Sequence, residues 1–207
     1  MTGAGEFVPA EIAPGLWRWT AAHPAWRPGA APDSPADWDR EVGSILWRSA
    51  EHAVFIDALL PDDRAGFWRW ADERVVGADR VFALTTIGFH RRDRDLVAER
   101  YSAATSRDRA ALPEGIEAIP LRGAGEVEFW LPQERALVPG DRVLGGREGG
   151  LRLCPQSWLG YLSSPVNRAD LAELLRPLLD LPIERVLVSH GQPVLARGRA
   201  ALAEAIG

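Results

Sequence analysis

Four short apolar runs in the sequence each end in a polar residue that could take part in chemistry. Asp57 follows V-F-I, Thr85 follows V-F-A-L, Asp141 follows V-P-G and His190 follows V-L-V-S. Short apolar runs of this kind predict buried strands, and buried strands hold the side chains at their ends rigidly. We therefore expect the four residues to converge on one groove, where α/β folds usually build their sites.

The elements that must position these residues alternate between strands and helices. Residues 43–59 predict a β-hairpin, and the run R-V-F-A-L-T-T predicts the next buried strand. Between them, a proline and two acids at 61–63 predict the start of a helix. Asn167 and Asp170 resemble a capping box at the start of a later helix, which we expect to bend or end at Pro177.

The composition predicts a single domain over residues 1–207. A chain of 207 residues, 46% hydrophobic and 26% charged, is long enough to bury a full core and is ordinary for a soluble protein. The net charge of −5 argues against a nucleic-acid-binding face. No basic start precedes an apolar run, and no stretch approaches the roughly 18 apolar residues of a membrane helix. We expect a cytoplasmic protein with a small-molecule substrate or ligand and no membrane partner.

In order and spacing, these pieces resemble the metallo-β-lactamase superfamily. The matching pieces are the opening P-G-L-W-R-W strand, the hairpin ending V-F-I-D-A-L-L, the helix before V-F-A-L-T-T, the pair Gly140–Asp141, and V-L-V-S-H-G-Q-P-V before the last helix. They are spread over nearly the whole chain. The resemblance implies an α/β fold, a four-layer αββα sandwich of two facing sheets flanked by helices, with the site in the groove between the sheet edges.

The chain departs from this family at the metal-binding motif. Active members carry H-x-H-x-D-H, which points three imidazoles and a carboxylate into a two-metal site, whereas this chain reads T-I-G-F-H-R. Thr86 and Gly88 stand at two histidine positions, His90 at the aspartate and Arg91 at the last histidine. A further family histidine is missing from L-R-G-A-G-E-V-E-F. We expect Thr86, Gly88 and Ala124 to line the place of the first metal and to leave it empty or water-filled.

The resemblance also implies that ligands of the second metal survive at His90, Asp141 and His190. Two imidazoles and one carboxylate are a normal set for catalytic zinc or iron, so we expect at most one divalent ion, zinc, iron or manganese. A shift of one or two residues in the loop would put Asp93 in the place of His90 or beside it. Asp57 is expected to support the site through hydrogen bonds without binding the metal.

Two explanations stay open for the charged residues beside His90. Asp93 and Asp95 suit helix N-caps better than metal ligands. Arg91, Arg92 and Arg94 are either a solvated helix start or a cluster in which one arginine, with Arg91 and Arg92 the candidates, holds a carboxylate or phosphate of the substrate.

The other histidines and the aromatic residues have simpler interpretations. His23 lies in a Pro-rich loop and His52 in a hairpin turn, so we expect both at the surface. Cys154, the single cysteine, is expected to be a small buried residue without a role as nucleophile. The nine tryptophans suit core positions, or a pocket with aromatic walls.

The sequence thus predicts a hydrolase-like protein in which Asp141 and His190 are the leading catalytic candidates. One metal ion would lower the pKa of a bound water and supply hydroxide to attack an ester, thioester or amide. Asp141 could both bind the metal and orient that water. The alternative is a metal-free, non-catalytic relic of the fold that binds a small ligand or a partner protein, and the missing histidines are the main argument for it.

Overall fold

The computed structural model describes residues 7–105, 111–146 and 149–207, which form two main β-sheets with helices outside them. The strands are β1 (Ala10–Ala13), β2 (Leu16–Ala22), β3 (Glu41–Arg48), β4 (His52–Ile56), β5 (Arg80–Leu84), β6 (Glu117–Leu121), β7 (Glu126–Leu131), β8 (Ala136–Val138), β9 (Val143–Gly145), β10 (Leu151–Leu153) and β11 (Arg185–Val186). The helices are α1 (Arg64–Val75), α2 (Arg94–Tyr101), α3 (Arg168–Leu175) and α4 (Gly198–Ile206). Short 3-10 helices cover Gly88–Arg91, Gln156–Leu159 and Arg176–Asp180.

The first sheet contains β1 to β5 in chain order, and only its last pair, β4 and β5, is parallel. The second sheet has the order β11–β8–β7–β6, in which β11 runs parallel to β8. Strands β9 and β10 form a separate antiparallel pair. The predicted hairpin over 43–59 is confirmed, because β3 and β4 are antiparallel with Ile45 opposite Ile56.

Strict alternation in the first sheet divides its side chains between two cores. In β4, Val54 and Ile56 belong to the cluster that contains Phe129 of the second sheet. Ala53 and Phe55 belong instead to the cluster formed with α1 and α2. Because successive side chains of a strand point to opposite faces, the four buried apolar residues of β4 after His52 are covered on both sides of the sheet.

The second sheet is covered in the same way. In β7, Phe129 and Leu131 pack between the two sheets, whereas Trp130 joins Leu171 of α3 and Leu202 of α4 on the outer face. The four layers are therefore α1 with α2, the first sheet, the second sheet, and α3 with α4. This confirms the αββα sandwich expected from the sequence.

Local signals explain where the helices begin and end. Asp63 caps α1 by accepting a hydrogen bond from the Gly66 N–H at 2.9 Å. The capping box of Asn167 and Asp170 is confirmed at the start of α3. That helix gives way to a 3-10 turn just before Pro177, as the missing proline N–H requires. No helix in the described ranges is long and apolar enough to cross a membrane.

Candidate metal centre

The four strand ends that carry polar residues meet at one edge of the sandwich. Asp57 follows β4, Asp141 comes shortly after β8 and His190 shortly after β11. Thr85, the residue expected from the sequence, directly follows β5 and is buried, but the side chain that bonds to Asp57 is that of the next residue, Thr86. The two sheets are joined at this edge by an isolated bridge between Val42 and His190. His190 Nε2 lies 3.3 Å from Asp141 Oδ1, so the expected convergence of these two side chains is confirmed.

Asp57 organises the other half of the site. Its Oδ1 accepts the Thr86 backbone N–H at 2.8 Å, and its Oδ2 accepts the Thr86 hydroxyl at 2.6 Å. The same Oδ2 lies 2.8 Å from His90 Nδ1. Since a hydrogen on Nδ1 fixes the tautomer, Asp57 leaves His90 Nε2 directed at Asp141, 2.9 Å from its Oδ1.

Three potential ligand atoms therefore converge. One nitrogen of His90, one of His190 and one carboxylate oxygen of Asp141 all lie within 4.8 Å of one another, and all three residues are buried. Tetrahedral ligands about 2.0–2.1 Å from a zinc ion are roughly 3.3 Å apart, close to the spacing between His190 and Asp141. Asp141 Oδ1 is buried and has no well-directed hydrogen bond. The residues present thus fit one divalent metal ion.

The electrostatics of the three groups depend on one another. Burial opposes a charge on His90, but Asp141 and Asp57 more than offset this and raise the pKa of His90 to about 9. Burial would raise the pKa of the Asp141 carboxyl, yet the two imidazoles lower it well below its usual range. Burial lowers the pKa of His190. Asp141 is therefore an ionised carboxylate, and His190 is the imidazole more readily available in its neutral, metal-binding form.

The backbone around His190 is held by strands β3 and β9. The Gly43 N–H donates to the Ser189 carbonyl at 2.7 Å, and the Gly145 N–H donates to the His190 carbonyl at 2.8 Å. Gly191 has a φ of +83°, and a Cβ on it would meet Gly145 Cα at 2.9 Å. The S-H-G turn thus requires glycine after the histidine, because this close approach and this φ exclude other residues.

A buried glutamate holds the turn that carries Asp141. Glu126 Oε2 accepts the Asp141 backbone N–H at 2.6 Å and the Arg142 N–H at 3.2 Å. A Cβ at Gly140 would lie 2.6 Å from the same oxygen, so glycine allows this approach. Burial raises the pKa of Glu126, and burial together with Glu126 raises the pKa of the neighbouring Glu128 well above its usual value. Two acids that sequence reasoning missed therefore lie behind the site.

The candidate centre opens into a cavity of about 620 Å³. The cavity lining includes the three candidate ligands, His90, Asp141 and His190. The other side chains of the lining are Arg92, His23, Pro35, Trp38, Phe89, Arg142, Ser157, Trp158 and Tyr161. A cavity of this size is within the usual range of about 300–1,000 Å³ for small-molecule sites.

The two arginines considered for anion binding are placed differently. Arg91 is exposed on the surface and pairs with Asp95 at 2.5 Å, and it is not part of the cavity lining. Arg92 lines the cavity, and both of its terminal nitrogens are used: Nη1 donates to the Gly43 and Asp57 carbonyls at 2.9 and 2.8 Å, and Nη2 donates to Ser189 Oγ at 2.6 Å. Its backbone has a φ of +37°, which is uncommon for a residue other than glycine.

The acids of the same loop lie outside the ligand cluster. Asp93 occupies the N-cap position of α2 but makes no side-chain capping bond, and its Oδ2 instead accepts the Leu60 N–H at 2.8 Å. Asp95 lies in the first turn of α2 and faces Arg91 and Arg94. The expected N-cap is confirmed in position for Asp93, although without a capping hydrogen bond, and is wrong for Asp95.

Of the three positions expected around an absent first metal, two are packed inside the protein and one is exposed. Thr86 is buried and its hydroxyl is bonded to Asp57. Ala124 is fully buried, and its carbonyl accepts a hydrogen bond from Arg142 Nε at 2.9 Å. Gly88 is exposed, and a Cβ on it would meet no atom within 4 Å. Polar groups of the protein thus occupy the surroundings of Thr86 and Ala124, whereas Gly88 faces open space, and the expectation that all three line one empty or water-filled place is not confirmed.

Residues of the Pro-rich loop were missed as functional candidates. His23, expected at the surface, is half-buried in the cavity lining, with its ring 5.0 Å from that of Trp38. Burial, with Arg92, lowers its pKa to about 4. The loop is tied to the segment after β10 by hydrogen bonds from Ser157 Oγ and Trp158 Nε1 to loop carbonyls, at 2.6 and 3.2 Å. Only the clustering of prolines and tryptophan in this loop could have drawn attention to it.

Solved structures with the same architecture are metallo-β-lactamases. The chain superposes on the mono-zinc form of FIM-1 from Pseudomonas aeruginosa with a TM-score of 0.62 at 12% identity, covering 97% of this chain and 96% of that one. For DIM-1 the TM-score is 0.60 at 13% identity, with 98% and 99% covered. For the enzyme from Erythrobacter litoralis it is 0.58 at 15%, with 97% and 94% covered.

At these identities the comparison establishes the fold alone: the chain has the metallo-β-lactamase fold over nearly its whole length. No protein-family model matches the sequence, and no curated protein matches it either. The activity of this particular chain has to be argued from its own residues.

Proposed function

We propose that this protein is a hydrolase that uses one divalent metal ion, zinc, iron or manganese, to cleave an ester, thioester or amide. The observation that carries the proposal is the convergence of His90, Asp141 and His190 within 4.8 Å. Support comes from Asp57, which holds the second nitrogen of His90 in the carboxylate–histidine arrangement typical of metal sites. One of the similar folds was solved in a mono-zinc form.

The residues of the site have different roles in the proposed reaction. When bound, the metal ion supplies activation of a water molecule for attack on the carbonyl carbon. Asp141, which stays ionised, would orient that water, while Glu126 fixes the position of the Asp141 backbone. Asp57 keeps His90 in the required tautomer, and the aromatic walls limit competing water. A metal ion at His90 Nε2 would take the place of a proton, so metal uptake is expected to weaken at acidic pH.

The experiment that tests the proposal is metal analysis of purified variants. Wild-type protein prepared without chelator and supplied with zinc, iron or manganese should retain about one ion per chain, because three protein ligands suffice for a stable site. His190→Ala should retain far less and should lose hydrolysis of methyl esters. His52→Ala is the matched control, since His52 packs on Phe82 outside the cavity lining. Equal metal content in wild type and His190→Ala would contradict the proposal.

One observation favours the metal-free alternative. With Nδ1 facing Asp57 and Nε2 facing Asp141, a protonated His90 would satisfy both carboxylates without any ion. A protein that takes up no metal, and whose His90→Ala variant is destabilised, would be a ligand-binding relative of the fold. A cytoplasmic location stays a prediction from the sequence.

A further inference from the structure

The cavity above the candidate centre has an aromatic half and a polar half. The rings of Trp38 and Trp158 stand edge-on to the His190 imidazole, with centroids 5.7 and 5.5 Å away. At the rim, Phe89 and Tyr161 form an edge-to-face pair 5.0 Å apart. Any group bound next to Asp141 and His190 therefore has aromatic rings around it. Phe89 is 64% and Tyr161 50% exposed, so the pair presents a joined apolar surface at the rim of the cavity that a bound ring could cover.

The two arginines of the cavity lining donate mainly to protein acceptors. Arg92 donates to two carbonyls and to Ser189 through its terminal nitrogens, and only its buried Nε has no partner. Arg142 is fully buried, where it donates to the Ala124 carbonyl and to the Tyr161 hydroxyl and lies 3.9 Å from Glu126. An anion-binding site would instead present free guanidinium donors to the ligand. The cavity thus offers apolar contact and little anion recognition.

We propose that the substrate carries an uncharged, ring-bearing apolar group attached close to its scissile carbonyl, and that this group is seated between Trp38 and Trp158 under the Phe89 rim. This inference rests on the proposed hydrolase function. Aromatic walls bury a large apolar area and favour edge-to-face contacts with a substrate ring. They therefore select for the ring, while the reacting carbonyl faces the three candidate ligands.

Methyl esters test this selection, because their methanol leaving group cannot fill the cavity. Each kcat/KM is first divided by the rate constant for hydrolysis of the same ester by hydroxide, which corrects for its intrinsic reactivity. The corrected value of metal-loaded protein for methyl 3-phenylpropanoate should be at least about tenfold above that for methyl acetate. Methyl hydrogen succinate, which carries a negative charge, should be no better than methyl acetate. Trp38→Ala and Phe89→Ala should each reduce the preference for the ring several-fold. Trp68→Ala, which removes a half-buried tryptophan of α1, should leave it unchanged.

Binding of an amide to the metal-free protein separates this proposal from the proposed function. By calorimetry, 3-phenylpropanamide should bind at least about tenfold more tightly than acetamide, and Phe89→Ala should weaken that binding. If no ester is cleaved but the amide binds in this way, the hydrolase proposal fails and the ring-binding cavity stands. If methyl acetate or the succinate ester is cleaved at least as well as the phenyl ester, or if the amide shows no advantage over acetamide, the ring-binding inference is overturned.

Discussion

Two groups of aromatic residues in this protein share a composition and differ in their surroundings. Under α1, Phe67 is fully buried and its ring has four aromatic neighbours, Phe7, Trp19, Trp68 and Trp70, at centroid distances between 4.9 and 6.0 Å. The helix covers one side of the cluster and the first sheet covers the other. These rings complete a core.

Around the cavity, the rings have one side that borders open space. Trp38 and Trp158 contact the His190 imidazole, and Phe89 and Tyr161 contact each other at the rim. Their other faces line a space of about 620 Å³. Aromatic content by itself therefore does not distinguish a core from a binding site. The two differ in what covers the rings, a helix in the core and a loop at the cavity.

The largest effect that sharpens this comparison is expected from Phe67→Ala. Removing a fully buried phenyl ring leaves a cavity and should lower the free energy of unfolding by about 3–5 kcal/mol. Trp38→Ala, which truncates a larger but only half-buried ring, should cost clearly less. Chemical denaturation of both variants measures the two values. Equal losses would mean that the cavity rings are part of the core after all.

A smaller effect, confined to the cavity, is expected from Asp57→Asn. Asp57 has a φ of +53°, which asparagine also tolerates, so the backbone should be retained. The amide cannot accept hydrogen bonds from both Thr86 and His90 as the carboxylate does, and metal affinity should fall about 10–100-fold. Competition with a chromophoric chelator measures this.

Asp95→Asn is the control for that measurement, because it makes the same chemical change in an exposed ion pair with Arg91. Surface pairs of this kind contribute about 0–1 kcal/mol, and metal affinity should not change. If the metal affinity of Asp57→Asn is unaltered, Asp57 does not support metal binding and its role is structural.

The smallest effect is expected for Glu128→Gln, as a change in stability relative to wild type that appears only as the pH rises. Burial, with Glu126 beside it, raises the pKa of Glu128 above its unfolded value, so the folded state binds more protons than the unfolded state. Wild-type stability must then fall as the pH rises above the unfolded pKa of about 4.3. Glutamine cannot ionise and avoids that loss, so the variant should gain stability relative to wild type between pH 5 and pH 8.

Glu99→Gln on the exposed face of α2 controls for the change in net charge. Unfolding is followed in chelator so that metal uptake does not contribute. A difference between wild type and Glu128→Gln that is constant with pH would show that the buried acids behave as an ordinary part of the core.

Much of the fold could be predicted from local patterns. The short apolar runs marked β4, β5, β8 and the segment around β11, since few other structures bury every residue of so short a run. Turn and capping residues such as Asn167 and Pro177 placed the helix boundaries within a few residues. Strand-end positions also singled out Asp57, Asp141 and His190, because a side chain directly after a buried strand has little freedom in where it lies.

The remaining features were decided by tertiary contacts. Arg91 and Arg92 are neighbours of identical type, yet Arg92 lines the cavity and donates to buried carbonyls, whereas Arg91 lies in solvent beside Asp95. Glu126 reads as an ordinary polar position of a strand, and only the return of the chain at Asp141 makes it a buried acceptor. Neither the position of Arg92 nor the burial of Glu126 could be predicted from the neighbouring residues in the sequence.

By itself, then, the sequence determined which residues end the buried strands and which residue types are available there for chemistry, since periodicity and hydrophobic burial act within a few neighbouring residues. The tertiary structure alone decided that the Pro-rich loop lies over His190 and brings Trp38 to the cavity. That loop has no periodicity, and the contacts that hold it, from Ser157 and Trp158, come from more than a hundred residues further along the chain.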